Sequence, residues 1–489
     1  MKSQDVNMFP GSLFIEIHAL LSVKFTTSFF AALSSLPGGT LQCMPWALIL
    51  NHGVAMATGY LCALLILILL GTAVPWQHPE RLPVAAGPPL EGRPFTVVWN
   101  MPTAHCKERY GIDLDLTDFD IIENHHEKFL GQNMTIFYHN KLGLYPYLSK
   151  GGDDVNGGIP QRGNLRAHLG EAKSKIEALL LPLFHGLAVI DWEEWRPLWV
   201  QNFGKKRKYQ ELSKELVREE HPELSGEEVT FLARKQFNKS ARDFLFSTLQ
   251  LGVQLRPAGS WGFYGLPSCP NYHKAQSPHS YTGHCHPKTT ERNDRLDWLW
   301  GQSTALYPSI YLPYQLAGSS NAALMVRFRV LEALRVAAKY PSSVNATPVL
   351  PYARVAFAHT LHFLNKMDLE HTLGESAALG TAGVVLWGEL QFAKSKHQCK
   401  ILHDYVGSVL GKYVRTLKRG VQQCSHRLCS GNGRCARRNP DSGHMMHSFS
   451  SPEPHRIHDS TFSSAQLRSA FHCLCYQGWT GELCQDKIL

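Results

Sequence analysis

The chain has 489 residues, of which 44% are hydrophobic and 18% are charged. This length exceeds a usual single domain, and the composition is that of a folded protein, which excludes a disordered chain and a protein with many membrane spans. The formal net charge of +9 is modest and comes without a nucleic-acid-reading motif or the lysine of a P-loop. Neither nucleic acid nor a nucleotide is therefore an expected partner.

Residues 1–92 differ from the rest of the chain. Residues 54–74 form an apolar run that is long enough for the core of a signal peptide and marginal for a membrane-spanning helix. A small-x-small pattern ends at Ala73, and the proline-rich residues 75–94 have the composition of a linker. We expect a signal peptide. If translation started at Met56, the run would form a signal peptide of the ordinary kind. The full-length form would instead keep the run as a membrane anchor.

Short apolar runs alternate with longer amphipathic stretches from residue 95 to residue 417. The runs predict strands at Phe95–Trp99, Met134–Tyr138, Leu187–Ile190, Trp261–Tyr264, Ser309–Leu312, Val349–Tyr352 and Val384–Trp387. The amphipathic stretches predict helices at Tyr209–Glu220, Gly226–Leu251, Asn293–Leu306, Asn321–Ala338 and Leu369–Leu379. Strands that alternate with helices predict an α/β fold built on a parallel barrel. Periodicity alone does not fix the number of strands.

The segment Gly186–Pro197 joins a buried strand to a cluster of acids and aromatic residues. Because side chains alternate along a strand, Asp191 and Glu193 are expected on one side and Trp192 on the other. Two carboxyl groups this close resist ionising together, so one stays protonated, as glycoside hydrolysis requires. The same acidic pattern is also typical of a helix cap or of a contact to a surface arginine.

Aromatic residues end several of the predicted strands. They are Tyr138, Trp192, Tyr264, Tyr311 and Trp387. Flat faces and phenolic hydroxyls suit sugar rings, which stack through their C–H faces and bond through their hydroxyls. Each aromatic residue alone would also fit a packed core, but their recurrence at strand ends favours a carbohydrate-binding groove.

The basic run Lys205–Lys208 is not accompanied by a nucleic-acid-reading motif. Charge runs are usually solvated, so this one predicts the exposed start of a helix. The alternative is a positive surface that attracts a polyanionic sugar chain.

Cysteine usage indicates an oxidising compartment. Cys43 and Cys62 lie in the N-terminal segment, which leaves ten of the twelve cysteines for five bridges. Residues 284–286 with Cys269 and His273 could instead bind zinc, but in that compartment a disulfide is favoured. Three sequons, at Asn133, Asn238 and Asn345, are typical of a secreted glycoprotein.

Several blocks of the chain resemble the animal hyaluronidases. They are Asn133–Tyr138, Gly157–Gln161, Gly186–Pro197, Trp261–Tyr264, Leu306–Tyr311 and Gly374–Ala378 through Val384–Trp387. The resemblance runs from about residue 93 to residue 484. It implies a distorted TIM-like (β/α) barrel of about seven parallel strands over residues 93–417.

The C-terminal cysteines resemble those of an EGF-like module over residues 418–489, with a long irregular insert at 436–471. Spacing alone does not fix how six cysteines pair. The two resemblances together imply five disulfides, which are Cys106–Cys399, Cys269–Cys285, Cys424–Cys435, Cys429–Cys473 and Cys475–Cys484. A module this small depends on such bridges.

The resemblance also implies roles for the residues of the groove. Glu193 is the proton donor, and Asp191 holds the acetamido group of the substrate and stabilises the charge that develops on it. That group is itself the nucleophile, so hydrolysis is substrate-assisted and needs no cofactor or metal. The residues implied to surround the sugar are Tyr138, Tyr264, Tyr311 and Trp387. Arg329, in the following helical segment, is implied to orient the acids or to bind a substrate carboxylate, and the alternative is that it belongs to a buried ion pair. Alternation predicts that Glu194 points away as a salt-bridging neighbour.

Two functions follow from the resemblance. The first is endo-acting hydrolysis of β-1,4 bonds in hyaluronan or chondroitin by a protein of the secretory pathway, whether secreted, lysosomal, acrosomal or membrane-associated. The second is a weakly active glycan-binding protein that acts on an unknown protein partner through its EGF-like module. One departure bears on this choice, because Ser268 stands where many relatives have an aspartate before the cysteine.

Overall fold

The computed structural model describes residues 84–488, apart from residues 88, 126–128, 273–279, 342–345 and 450–463. The predicted signal or anchor run at 54–74 lies outside the described residues, as do Cys43, Cys62, His273 and Asn345. Among the described helices, none is both long enough and apolar enough to cross a membrane.

Most of the strands are short. In chain order they are β1 (Val84–Ala85), β2 (Thr96–Asn100), β3 (Ile121–Ile122), β4 (Met134–Tyr138), β5 (Tyr147–Leu148), β6 (Asp154–Val155), β7 (Leu187–Asp191), β8 (Ser260–Phe263), β9 (Tyr352–Ala353), β10 (Gly383–Trp387), β11 (Gly433–Arg437), β12 (Phe471–Tyr476), β13 (Trp479–Thr480) and β14 (Asp486–Lys487). Five predicted strands are confirmed as β2, β4, β7, β8 and β10, with ends that shift by at most one residue.

Two parallel sheets form the barrel. One has the order β3-β2-β10-β9 and the other the order β4-β7-β8. Residues 306–309 lie between them, because Tyr307 bridges to Tyr264 and Leu306 bridges to Val349. The predicted parallel arrangement is confirmed. The count of about seven strands stays a prediction, since the connecting segment is paired on both sides without being a regular strand.

The predicted strand at Ser309–Leu312 is wrong, and the one at Val349–Tyr352 keeps only a bridge at Val349 and the first residue of β9 at Tyr352. Only Ser309 of the first segment makes a bridge, to Tyr352. Prolines explain both differences. Pro308 and Pro351 have no N–H, so neither can donate to a neighbouring strand and the ladder is interrupted beside them.

The helices cover the outside of the barrel. They are α1 (Ala104–Tyr110), α2 (Leu165–Leu179), α3 (Arg207–Glu220), α4 (Gly226–Leu255), α5 (Thr289–Asp294), α6 (Asp297–Trp300), α7 (Ser320–Lys339), α8 (Lys366–Leu369), α9 (Glu375–Ala378), α10 (Lys396–Tyr405), α11 (Gly411–Leu428) and α12 (Ser464–Ala470). Helix α4 begins at a capping box formed by Ser225 and Glu228.

Two helix predictions need correction. The predicted helix at Asn293–Leu306 is replaced by the end of α5 at Asp294 and the short α6 at Asp297–Trp300, and residues 306–309 join the barrel as the bridged segment. The predicted helix at Leu369–Leu379 begins earlier, where Asn365 caps α8, and a π-helical turn at Glu370–Gly374 joins α8 to α9.

Alternation along the barrel strands separates two cores. In β7, Leu187 and Val189 face the barrel interior with Met134 and Tyr352, whereas Ile190 packs outward. The outward layer lies against α2 and α4 and includes Phe137, Trp261 and Phe244. An inward side chain at the last residue of a strand therefore lies at the mouth of the barrel, on the catalytic face of such folds.

The structure forms the five disulfides with the partners that the resemblance implies. Because Cys269 and Cys285 are bonded to each other, their thiols are not available as zinc ligands. In the C-terminal segment β11 pairs antiparallel with β12, and β1 adds to the same sheet. Part of the predicted linker, Val84–Ala85, is thus a strand.

The C-terminal segment is continuous with the barrel. Helix α11 runs through the predicted boundary between residues 417 and 418 without interruption. The described residues, from 84 to 488, belong to one compact unit. The predicted insert at 436–471 is ordered at both of its described ends, where Met446 is buried against α11 and α12 precedes β12.

A buried ion cluster connects the two parts. Glu375 of α9 is fully buried and its carboxylate accepts from Arg327 of α7 at 2.7 Å and from Arg437 of β11 at 2.7 Å. Arg327 also pairs with Asp441, whose side chain is 70% exposed. A carboxylate between two buried guanidinium groups is costly to remove, because each cation would lose a compensating charge.

We therefore expect Glu375→Gln to lower the free energy of unfolding by about 3–5 kcal/mol. Asp441→Asn is the matched control and should change it by less than about 1 kcal/mol, since an exposed ion pair contributes little. Denaturant unfolding of the oxidised protein, followed by tryptophan fluorescence, measures both values. Equal effects of the two substitutions would contradict a role for the cluster in stability.

Candidate active site

The two predicted acids lie on one wall of a cleft at the mouth of the barrel. Strand β7 ends at Asp191, which pairs with Tyr138 at the end of β4. Asp191 and Glu193 both line this cleft, whose volume is about 540 Å³. Trp192 points the other way and stacks on Tyr145 at 4.4 Å between ring centroids. The predicted alternation of Asp191, Trp192 and Glu193 is confirmed.

Alternation predicted that Glu194 points away from the cleft, and this prediction is wrong. Its side chain lines the same cavity, and its carboxylate lies 3.2 Å from Nδ1 of His139. The strand ends at Asp191, so the period of two no longer governs the residues beyond it. The prediction that Glu194 forms a salt bridge with a neighbour is correct, with His139 as the partner when its ring is protonated.

Lys206 fixes the backbone of the acidic segment. Its ammonium group donates to the carbonyl oxygens of Glu193 and of Glu194, the second at 3.0 Å. Burial lowers the pKa of Lys206, and the nearby Arg196 lowers it further. The predicted solvated run is therefore correct for Lys205, Arg207 and Lys208, which are exposed, and wrong for Lys206, which is half-buried.

The acids of the cleft are electrostatically coupled. Burial raises the pKa of Asp191 to about 8, and the charges of Glu193 and Glu194 add to that rise. Desolvation by the surrounding protein also raises the pKa of Glu193, against the lowering effect of Lys206 and Arg196. Glu193 is the more exposed of the two. The ligand-free cleft therefore holds a proton at neutral pH, and Asp191 is the group that carries it.

Four of the predicted sugar-binding aromatic residues come together in the cleft. The phenol of Tyr264 donates to Oγ of Ser309 at 3.4 Å, and Nε1 of Trp387 donates to Oη of Tyr138 at 3.3 Å. The ring of Tyr311 stacks on Trp387 at 6.2 Å. Burial raises the pKa of Tyr264 to about 12 and also raises the pKa values of Tyr138 and Tyr311. The phenols are thus neutral donors. Trp192, the fifth aromatic strand end, belongs to the outer core instead.

Arg329 is not among the residues that line the cleft. Its Nε donates to Oδ1 of Asn271 at 2.9 Å, and its Nη1 donates to the carbonyl oxygen of Ser309 at 2.9 Å. Burial lowers the pKa of Arg329. The guanidinium therefore lies behind the wall that carries Tyr264 and holds the backbone of Ser309, whose hydroxyl accepts from the same tyrosine.

Sequence reasoning missed a second arginine, Arg354, which does line the cleft. Its guanidinium bonds to the carboxylate of Glu389 through Nη2 at 3.0 Å and Nη1 at 3.1 Å. Arg354 is in phase with Tyr352, the inward residue of β9. The alternation of side chains that predicted Asp191 as an inward residue also predicts Arg354, because Arg354 follows the inward Tyr352 by two residues. His359 is another cleft residue that the sequence reasoning missed.

The two described sequons differ in their surroundings. Asn133 is exposed at the start of β4. Asn238 lies within α4, and its Oδ1 accepts from the backbone N–H of Trp199 at 2.8 Å. Ser268, which departs from the pattern of many relatives, offers its carbonyl oxygen to Asn293 at 3.1 Å. Among the residues the structure describes, no three His, Cys, Asp or Glu side chains form a group that could hold a metal ion.

Comparison with known proteins gives a consistent result. The hyaluronidase family model matches residues 84–488. Hyaluronidase-1 of Homo sapiens is 44% identical over 415 residues, which cover 82% of this chain and 94% of that protein. Hyaluronidase-3 of Homo sapiens is 44% identical over 400 residues, which cover 82% and 92%. The hyaluronidase of Crotalus adamanteus is 40% identical over 421 residues, which cover 83% and 93%.

Placement within the family rests on a few C-terminal residues. The stretches Leu402–Tyr405, Cys424–His426 and Gly433–Arg438 resemble hyaluronidase-3 among the vertebrate members. Because the human hyaluronidases 1 and 3 are equally identical to this chain, that placement stays a prediction.

A solved structure shares the architecture. The crystal structure of bee venom hyaluronidase in complex with a hyaluronic acid tetramer has a TM-score of 0.59 and 32% sequence identity, and the match covers 66% of this chain and 98% of that one. The family model and the relatives cover most of the chain, and the acids at the barrel mouth are consistent with them. The chain therefore belongs to the hyaluronidase family of glycoside hydrolases.

Proposed function

We propose that this protein is an endo-β-N-acetylhexosaminidase that cuts the β-1,4 bonds of hyaluronan. The observation that carries the proposal is the pair Asp191 and Glu193, which share one wall of a cleft lined by Tyr138, Tyr264 and Trp387. Burial raises the pKa of both acids, that of Asp191 to about 8, so one of the two can be protonated while the other is ionised. A relative whose structure contains a hyaluronic acid tetramer supports the choice of substrate.

In this mechanism Glu193 protonates the glycosidic oxygen and then, as a base, activates water. Asp191 holds the acetamido group of the substrate, whose carbonyl oxygen attacks the anomeric carbon, so the product retains its configuration. The phenols of Tyr264 and Tyr311 are neutral and can donate to the same acetamido group. Lys206 keeps the backbone of Glu193 in place while the side chain reacts.

Substrate binding has to move the proton within the acid pair. In the free cleft Asp191 carries it, because burial raises its pKa to about 8. An acetamido N–H that donates to Asp191 favours the ionised carboxylate and lowers that pKa. A bound sugar also removes water from Glu193, which raises the pKa of that residue. The two effects together place the proton on Glu193 in the complex, where the leaving oxygen needs it.

Chondroitin is the second substrate class that we propose, since it also alternates an N-acetylhexosamine with a hexuronic acid. The competing hypothesis of a weakly active glycan-binding protein has less support. It is supported by Ser268, which stands where many relatives have an aspartate. The acids Asp191 and Glu193 and the aromatic residues of the cleft support hydrolysis instead.

The remaining proposals concern the C-terminal segment and the compartment. We assign residues 418–489 to an EGF-like module because three disulfides and the antiparallel pair β11 and β12 hold it together. Its protein partner is unknown. Five disulfides support folding in the secretory pathway, followed by secretion, delivery to lysosomes or acrosomes, or membrane association.

Glu193→Gln should lower kcat on hyaluronan by about 10²- to 10⁴-fold, because the amide cannot donate or accept the catalytic proton. Release of new reducing ends at acidic and at neutral pH measures the loss, and circular dichroism of the secreted protein checks the fold. Glu223→Gln, at a side chain 67% exposed, is the control and should leave turnover unchanged. Undiminished hydrolysis by Glu193→Gln would remove this residue from the mechanism.

Asp191→Asn should make the stability of the protein less dependent on pH. The pKa of Asp191 is raised from 3.8 to about 8, so the folded protein keeps a proton that the unfolded chain releases above about pH 4. The contribution of the protonated Asp191 to the free energy of unfolding is fully present below about pH 4 and is lost as the pH rises toward 8.

Thermal unfolding of both proteins across that pH range measures the effect. The variant should have the same Tm as the parent near pH 4 and a Tm higher by about 2–5 °C near pH 8. A difference in Tm that does not change with pH would show that Asp191 is ionised throughout.

A further inference from the structure

Arg354 carries a charge that the mechanism above does not use. Among the described residues that line the cleft, it is the one side chain with a permanent positive charge. The same cleft is lined by four carboxyl groups, those of Asp191, Glu193, Glu194 and Glu389, and by two histidines, His139 and His359. Because hyaluronan carries one carboxylate in every disaccharide, a cleft with this balance needs a cation if it is to admit the polymer.

The environment of Arg354 orients its guanidinium. The residue is only 6% exposed, and its Cζ lies 5.7 Å from the ring centre of Tyr311 and 5.4 Å from that of Trp387. Both rings are implied to contact the sugar at the cleaved bond. A guanidinium held against these two rings is therefore adjacent to the bound polymer, and the packing restricts it to a small set of orientations.

The hydrogen bonds of Arg354 are incomplete. Its two Nη atoms bond to Glu389, but its Nε is buried and has no hydrogen-bond partner among the residues the structure describes. A guanidinium has five N–H donors, so the one carboxylate of Glu389 leaves donors unused. Each Nη atom carries two N–H groups and makes one bond to Glu389, so the donors that remain on these atoms are available to a ligand acceptor.

Glu389 has the opposite character. Its side chain is 36% exposed and follows β10 by two residues, at the solvent side of the cleft. It holds Arg354 in the fork geometry that a substrate carboxylate would adopt. It also adds a negative charge where a negatively charged polymer has to enter. The pair thus has a buried cation that is positioned to bind an anion and an exposed anion that competes for it.

We propose that Arg354 recognises the uronic acid carboxylate of the substrate and that Glu389 is its built-in competitor. In the free protein Glu389 occupies the guanidinium and neutralises it. A bound uronic acid carboxylate takes Nη donors of Arg354 and weakens the hold of Glu389. The pair therefore sets how strongly the cleft discriminates between charged and uncharged sugar polymers. This inference rests on the proposed function for the identity of the polymer.

Binding measured in a Glu193→Gln background tests the proposal, because the ligand then stays intact. The probes are a hyaluronan oligosaccharide and the same oligosaccharide with its carboxyl groups reduced to alcohols, each titrated by calorimetry. Arg354→Gln should weaken binding of the native probe by about tenfold or more and leave binding of the reduced probe unchanged. Glu389→Gln should strengthen binding of the native probe by about threefold to tenfold, again without an effect on the reduced probe.

Arg354→Lys keeps the charge beside the two rings and loses the fork, so it should bind the native probe with intermediate affinity. It also serves if Arg354→Gln does not fold. Equal weakening of both probes by the Arg354 variants would overturn the proposal and assign the residue to packing. An unchanged affinity in Glu389→Gln would overturn the competitor role. If the parent protein fails to cut hyaluronan while the predicted binding pattern holds, the proposed hydrolysis fails and the recognition pair stands.

Discussion

The parallel pairing of β7 with its neighbours determines where the chemistry of this protein can occur. Because Met134–Tyr138 pairs in register with Leu187–Asp191, the inward side chains of both strands line up in rows. The rows begin with the apolar residues that fill the barrel and end with Tyr138 and Asp191 at its mouth. A shift of one residue in this register would exchange inward and outward side chains and send Asp191 into the outer core.

The same geometry makes the cleft electrostatically demanding. The barrel interior below Asp191 is apolar, so a charge at that level is poorly solvated and the carboxyl group stays protonated to about pH 8. The cations near the acids have different tasks. Lys206 bonds to the backbone of Glu193 and Glu194, whereas Arg354 faces the cavity and pairs with Glu389. The cleft is consequently rich in acids without holding all of them in the charged state.

Much of this site could be predicted from the sequence, because the period of two along a strand is visible in the residue order. It placed Asp191, Tyr138 and Trp387 in the cleft and Trp192 on the opposite side, and it failed at Glu194, which lies past the end of β7. Lys206 could not be identified, since its bonds to the acidic segment depend on how the chain returns after residue 197. The pairing of the cysteines came from resemblance, because spacing alone leaves it open.

The acid pair at the barrel mouth keeps one proton at neutral pH, and Asp191 carries it in the free protein. Infrared difference spectroscopy between about pH 5 and about pH 9 measures this directly, because a protonated carboxyl group and a carboxylate absorb at different frequencies. We predict a protonated carboxyl band that disappears with an apparent pKa of about 8 and is absent in Asp191→Asn. A band lost below about pH 6, or one that persists in the variant, would contradict the account.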